Sequence, residues 1–217
     1  MGKIMNLHQC FAHDNCIEEF VHFTNEKNLP SILKTGVLSR KALLEKNIPF
    51  DYNDEKRLDG MLEAISLSVT SPNYKMFYKY RTLKNEANWV VIVFDPQKIL
   101  EYQCAFFRAN AGSRDSMQQD RENAHSVTAF AEMFSDWDIC HPRWSLGLAK
   151  NEPTNPQAEV MVFNEIPLSC IDRIVFQKES QYKKYCAILE AQGIKCVREA
   201  HFFTPRHDYY CWTNAAA

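Results

Sequence analysis

The sequence predicts an α+β fold, and three observations carry the prediction. Short apolar runs rich in Val, Ile and Phe recur along the chain; segments with helical spacing and capping residues separate them; and the two alternate irregularly, without the regular winding that builds a parallel sheet.

"EEFVHFT" at 18–24 mixes aromatic and β-branched residues and reads as a strand, with Phe20, His22 and Thr24 on one face and Glu19, Val21 and Phe23 on the other. In "NLPSILKTG" Asn28 stands as an N-cap, Pro30 is tolerated in the first helical turn, and Gly36 ends the helix in a left-handed conformation. A short helix is expected over 40–46 and a polar connection over 47–62. The strict alternation of "ISLSVT" at 65–70 marks a second strand, after which "PNYKMFYKYR" turns into a helix with aromatics at 74, 77, 78 and 80. "WVVIVF" at 89–94 is apolar on both faces and therefore a central strand. Residues from about 115 to 135 and from 179 to 192 have helical spacing, "VMVF" and "IDRIVFQ" are core strands, and "KCVRE" is one more.

With 217 residues and 46% hydrophobic side chains, one compact domain is expected over 1–214, and Ala215-Ala216-Ala217 reads as an appended remnant. "WVVIVF" is the longest uninterrupted apolar run and far too short to cross a bilayer, and no basic segment followed by an apolar stretch opens the chain; a cytoplasmic protein without membrane contact is expected. A net charge of −2 gives no overall attraction for polyanions, so a nucleic-acid partner has to be held by a local patch. The eight cysteines never approach C-x-x-C spacing, which argues for reduced, mostly structural thiols and against a locally encoded zinc or redox site. Neither G-x-G-x-x-G nor G-x-x-x-x-G-K-[ST] occurs, so no Rossmann or P-loop nucleotide site is expected.

In "NPQAEVMVF" at 155–163 one residue is out of place. Ala158, Val160 and Val162 share one strand face, while Gln157, Glu159, Met161 and Phe163 share the other. A carboxylate flanked by Met and Phe is partly desolvated, which costs free energy unless it is paired or put to use. The alternative is a strand-end Glu still reached by water, because "TNP" just before it marks an exposed loop.

Two blocks, "HFTNEKNLPSILKTGVLS" at 22–39 and "QAEVMVFNEIP" at 157–167, resemble the DarT family of ADP-ribosyltransferase toxins. In that family a strand carrying H-F-T leads into an N-L-P-x-I-L helix, and a late A-E-[IV]-[LM]-V strand is followed by proline. "SPNYKMFY" is similar to the family's S-P-x-L-Y element and "RANAGS" to its G-N-A-A segment, in the same order, so the likeness covers roughly residues 20–178. The resemblance implies an ADP-ribosyltransferase-like fold: two small, mostly antiparallel sheets with flanking helices, facing each other across an NAD cleft. It also implies a reaction in which NAD, as co-substrate and without a metal, is split at the nicotinamide N-glycosidic bond and ADP-ribose passes to a base in DNA. A base inside a duplex is hard to reach with NAD already in the cleft, so single-stranded DNA is the expected partner.

Such chemistry builds positive charge on the ribose C1, which a carboxylate hydrogen-bonded to the ribose hydroxyls stabilises. Glu159 is the candidate, and it is also placed to take the proton of the acceptor base. The resemblance assigns His22 and Thr24, with Phe23 between them, to NAD: a ribose and the nicotinamide amide are their expected contacts. Asn28, Ser31 and Ser39 lie on the following helix and its exit, where short polar groups and helix-end dipoles suit the dinucleotide. Tyr74 or Tyr78 is expected to stack on nicotinamide, Tyr78 preferred as the match to the family's tyrosine. The family's arginine, which holds NAD and orients the base, falls in "DYNDEKRLDG", where Arg57 matches. Each has a plain structural alternative: a core histidine, a capping asparagine, core aromatics, a solvated loop charge.

On the acceptor side, "CHPRWSLGLAKNEPTNP" at 140–156 precedes the Glu159 strand, where transferases of this fold place their target-recognition loop. Arg143 and Lys150 suit phosphate and Trp144 suits base stacking, with Arg108 and Arg114 extending a basic track while Arg121 reads as helix-surface charge. Gln157 occupies a position that helps choose the acceptor in protein-modifying relatives. The chain lacks the V-P-F-Y block of the thymidine-modifying branch, and "SLSVTSPNYKMFYKYR" is more similar to the guanine-modifying branch, so guanine is favoured over thymine. The resemblance further implies a toxin of a toxin-antitoxin or phage-defence system, with a macrodomain antitoxin as partner. Three other readings stand beside this one: a transferase acting on RNA or protein, a non-catalytic single-strand-binding module in which Glu159 is structural, and a thiol hydrolase on Cys140-His141, for which no activated, helix-borne cysteine or separate base is in evidence.

Overall fold

The computed structural model describes residues 4–51, 60–83, 88–113, 116 and 121–212. Seven strands, β1 (Phe20–Asn25), β2 (Ile65–Val69), β3 (Trp89–Phe94), β4 (Cys104–Phe107), β5 (Glu159–Val162), β6 (Ile171–Phe176) and β7 (Lys195–Arg198), form one sheet in the order β4-β5-β2-β1-β3-β6-β7. Neighbours run antiparallel except β6 and β7, which are parallel. Around the sheet lie α1 (Leu7–Asp14), α2 (Leu29–Thr35), α3 (Arg40–Glu45), α4 (Tyr74–Leu83), α5 (Pro96–Ile99), α6 (Val127–Glu132), α7 (Arg143–Leu146) and α8 (Glu179–Glu190).

The expectation of two separate sheets is corrected to a single sheet with a weak seam. β1 pairs with β3 along its whole length but with β2 only at Phe20↔Val69 and Val21↔Ser68. Beyond Val21 the two strands part, and β2 continues against β5 through Ile65, Ser66 and Leu67. The Ser66 carbonyl, which a continuous ladder to β1 would have satisfied, instead accepts a hydrogen bond from His22 Nδ1 at 3.0 Å.

Alternation along the strands decides what packs where. Phe20, Val90, Ile92, Phe94 and Ile174 meet Leu29 and Ile32 of α2, Phe130 of α6 and Leu189 of α8 in the larger core. Val21, Val91, Val93 and Val175, on the opposite face, are covered by Phe77 of α4 and by Phe202 and Phe203. β3 is therefore buried at every position, as its double-sided apolarity requires.

Local signals hold with instructive exceptions. Gly36 ends α2 at φ +79, and a Cβ there would lie 2.4 Å from the Ile166 carbonyl oxygen, because Val37 and Ile166 form a bridge at this point. Asn28 makes no capping hydrogen bond: the chain enters α2 through a 3-10 turn at Glu26–Asn28, and Asn25 caps that turn by accepting from the Lys27 N–H at 3.0 Å. Within the helix expected over 115–135, the described residues are helical at Ser116 and in α6, which follows a 3-10 turn at Asn123–His125; residues 114, 115 and 117–120 lie outside the description. All eight cysteines are free thiols. Among the described residues no helix is long and apolar enough to cross a membrane.

Candidate active site

Where β1 leaves β2 the sheet opens into a cleft of about 370 Å³, walled by β1 and β2, by α2 with its exit, by α4, and by Asn110, Gly112 and Glu159. The seam explains its position. A backbone gap in a sheet leaves polar groups without ladder partners, and here side chains take them up.

Glu159 opens β5, paired with Phe107 of β4, and is only 5% exposed. Both its oxygens are held from the segment that follows β4. Asn110 Nδ2 donates to Oε1 at 2.9 Å and the Ala111 N–H donates to Oε2 at 2.8 Å. Asn110 is itself fixed, because its Oδ1 accepts the Gly112 N–H at 3.0 Å. These N–H donors, one to each oxygen, set the plane of the carboxylate. The carboxylate beside Met161 and Phe163 is thus held in place by a segment distant in sequence.

Across the cleft stand His22 and Thr24. The carbonyl of Ser66 can only accept, so His22 carries its proton on Nδ1, and in the neutral ring Nε2 is the acceptor. Thr24 is buried, and its Oγ1 accepts from Asn28 Nδ2 at 2.9 Å. Asn28 further mimics a backbone amide against Asp51, donating to its carbonyl at 2.8 Å and accepting its N–H at 2.8 Å. It therefore ties β1, α2 and the 47–62 connection together at the cleft rather than serving as a cap. Ser31 and Ser39 also line the cleft; Ser39 caps α3 through Oγ, which accepts the Ala42 N–H at 3.2 Å.

Several expected residues are placed elsewhere. Phe23 lines the cleft as expected, but its ring stacks on Phe77 at 4.5 Å and is shared with the aromatic core under α4. Tyr74 is buried with its hydroxyl donating to the Tyr209 carbonyl at 3.3 Å; burial, reinforced by Asp208, pushes its hydroxyl up to about 12. Tyr78 is 65% exposed and does not line the cleft, whereas Tyr80 and Met76 do. Docking of Phe77 sets the helix phase, and Met76 and Tyr80, four residues apart, then share the inward stripe. Arg57 lies outside the described residues.

The acceptor-side residues divide sharply. Trp144 on α7 is 84% exposed, as base stacking requires. Arg143 is instead committed inward: its guanidinium donates to the carbonyls of Ala149 (2.8 Å) and Glu152 (2.7 Å) and to Thr154 Oγ1 (3.0 Å), and burial together with Arg206 lowers its pKa. Arg108 donates to the Asp136 carbonyl at 2.6 Å and covers the Trp137 ring at 5.2 Å. The exposed Lys150 donates to the Asp14 carbonyl. Gln157 is half-buried just ahead of Glu159, and Arg114 lies outside the described residues.

Sequence reading passed over Asn110, Ala111 and Tyr80. "RANAGS" stands out as a segment, and the short polar residue between two small ones is the available signal, but nothing local pairs it with a strand 49 residues away. Among the described residues, no group of three or more His, Cys, Asp or Glu is placed to hold a metal ion.

A family model described as "ssDNA thymidine ADP-ribosyltransferase, DarT" matches residues 21–210. Among solved structures, the fold is similar to Thermosipho africanus DarTG in complex with ADP-ribose, with TM-score 0.60 and 15% identity over 87% of this chain and 52% of that one. It is also similar to Thermus sp. 2.9 DarT in complex with NAD+, with TM-score 0.53 and 12% identity over 86% and 97% of the two chains. The Thermus sp. 2.9 DarT structure in complex with ADP-ribosylated ssDNA gives TM-score 0.52 and 13% identity over 91% and 96%. The chain spans about half the length of the Thermosipho protein, and at these identities the likeness is one of fold. No curated protein matches the chain.

Proposed function

The chain belongs to the DarT family, and from that membership and the geometry of the cleft we propose that it is an NAD-dependent ADP-ribosyltransferase acting on a base of single-stranded DNA. One observation carries the reading: a carboxylate, Glu159, is gripped through both oxygens at one wall of a cleft whose other wall holds His22 and Thr24.

In this reading NAD lies in the cleft with its ribose between the two walls. The bond between ribose C1 and the nicotinamide nitrogen breaks, and its electron pair leaves with neutral nicotinamide. The ribosyl cation left behind is stabilised by the Glu159 carboxylate, which lines the cleft beside the ribose. A nitrogen of the acceptor base then forms the new bond to C1 and sheds a proton, which the same carboxylate accepts. His22 and Thr24 hold the ribose and amide, Ser31 and Ser39 the dinucleotide, and Tyr80 in place of Tyr78 packs on nicotinamide. Arg57 is retained as the residue that orients the base, by family resemblance.

The segment 140–156 meets the acceptor, with the exposed Trp144 as its stacking platform. Guanine is the proposed base, on the likeness of "SLSVTSPNYKMFYKYR" to the guanine-modifying branch, although the family description names thymidine. A toxin role in the cytoplasm, opposed by a macrodomain antitoxin, completes the proposal.

The test is incubation of the protein with labelled NAD and single-stranded oligonucleotides that each contain one base type, alongside RNA and a protein panel. Label confined to guanine-containing DNA supports the reading; label on thymine alone corrects the base. Transfer that survives intact in Glu159→Ala would sink the mechanism.

A further inference from the structure

The C-terminal segment holds a buried charge pair that the proposed chemistry does not use. Arg206 and Asp208 are both enclosed, Asp208 completely. Arg206 Nε and Nη2 donate to the two Asp208 oxygens at 2.7 Å each, and Trp212 Nε1 donates to Oδ2 at 2.8 Å. Burial by itself raises the Asp208 pKa; Arg206 and Trp212 outweigh it and hold the carboxyl below its ordinary value. The other donors of Arg206 go to the carbonyls of Pro153 (2.6 Å) and Thr154 (2.9 Å), on the chain just ahead of Glu159.

The same tail grips the far end of that segment. His207 Nε2 donates to the Leu146 carbonyl at 3.2 Å, and the Trp212 ring stacks on His141 at 4.9 Å. Thr154 is also held from below, its N–H on the Met133 carbonyl at 2.8 Å and its hydroxyl on the Ser135 carbonyl at 2.6 Å, while Thr70 Oγ1 donates to the Asn151 carbonyl at 2.8 Å. With Arg143 also lashing the carbonyls of 149 and 152 and the Thr154 hydroxyl from within, the carbonyls of 146, 149, 151, 152, 153 and 154 are each held by a fixed side-chain donor, and Trp144 projects from this segment into solvent.

A buried ion pair is poor evidence of stability, since well-packed apolar residues serve as well. A planar guanidinium that joins one carboxylate to two carbonyls does supply geometry, which an apolar contact does not. Transfer needs such geometry, because the ribosyl cation is captured by whichever nucleophile is correctly placed.

We infer that Arg206, braced by Asp208, is a positioning residue that sets segment 141–154 against Glu159 and so decides how much of the ribosyl cation goes to the base rather than to water. This rests on the reading that the segment meets the acceptor. Capture by water gives free ADP-ribose and a proton; capture by the base gives the modified base and a proton; nicotinamide is released either way.

The experiment compares the full chain with Arg206→Lys, which keeps a charge beside Asp208 but loses the fork, and with the paired replacement Arg206→Met and Asp208→Leu, which leaves no orphan charge. Nicotinamide release without DNA, label transferred to an oligonucleotide, and NAD affinity are measured, with melting curves to confirm folding. The expected result is a ratio of transfer to hydrolysis lowered by about tenfold or more, with NAD affinity within about twofold. An unchanged ratio in a folded variant overturns the inference, and so do equal losses in transfer and NAD affinity or loss of folding in both variants. If the unaltered protein releases nicotinamide but labels no oligonucleotide, the acceptor reading itself fails and takes this inference with it.

Discussion

Replacing Asn110 with Ala removes the donor to Glu159 Oε1 and leaves the Ala111 N–H, at 2.8 Å from Oε2, in place. A hydrogen bond to a charged group is worth about 1.5–3 kcal/mol net, and about 1.4 kcal/mol changes a rate tenfold. The expected loss in kcat for nicotinamide release is therefore about 10- to 150-fold, with KM for NAD held within about twofold because Asn110 acts on the carboxylate that meets the developing charge. Asn110→Asp, similar in shape, sets a second negative charge beside Glu159 and is expected to lose more than Asn110→Ala. Steady-state kinetics on folded variants decide the matter. A kcat within about threefold of the unaltered protein, or a loss lying wholly in KM, refutes the idea that this grip on Glu159 serves the transition state.

Four further outcomes follow from the same structure. Tyr80→Ala should weaken NAD binding by about two- to twelvefold, the worth of one aromatic contact, whereas Tyr78→Ala, on a residue outside the cleft, should leave the Kd unchanged in a direct binding titration. Gly36→Ala meets both the positive φ and the Ile166 oxygen, so the unfolding free energy read from denaturation curves should fall by at least about 1–3 kcal/mol from the strained backbone alone. Burial raises the Glu26 pKa, but hydrogen bonds from Lys184 and Gln181 outweigh it and lower the net value from 4.5; its contribution to stability is then present above that pH and lost as pH falls through the lower folded value. Melting temperatures measured from neutral pH downward should show a drop in this acid window that is smaller in Glu26→Gln. Trp144→Ala should lower the affinity for single-stranded DNA with no change in melting temperature, since the ring is solvent-exposed.

Some of this was plain from residue order. Alternation located β2, aromatic and β-branched runs located β1 and β6, double-sided apolarity located β3, and the polar break in an apolar face singled out Glu159. Gly36 announced its positive φ because a helix-terminating glycine needs only its near neighbours to be read. Such signals lie within a few residues of the groups they describe.

Pairings between distant segments left no comparable trace. Whether strands make two sheets or one with a seam depends on two residue pairs between β1 and β2. Tyr78 and Tyr80 are equally good aromatics on one helix, and only the docking of Phe77 on Phe23 turns one inward and the other out. Arg143 carries the composition of a phosphate ligand, yet the carbonyls folded around it claim its donors. Asn110 meets Glu159 across 49 residues and Arg206 meets Thr154 across 52. Periodicity is a property of adjacent residues and survives in the linear chain; the partner a polar group finds is settled by which distant backbone is brought within about 3 Å of it, and that exists only once the core has closed.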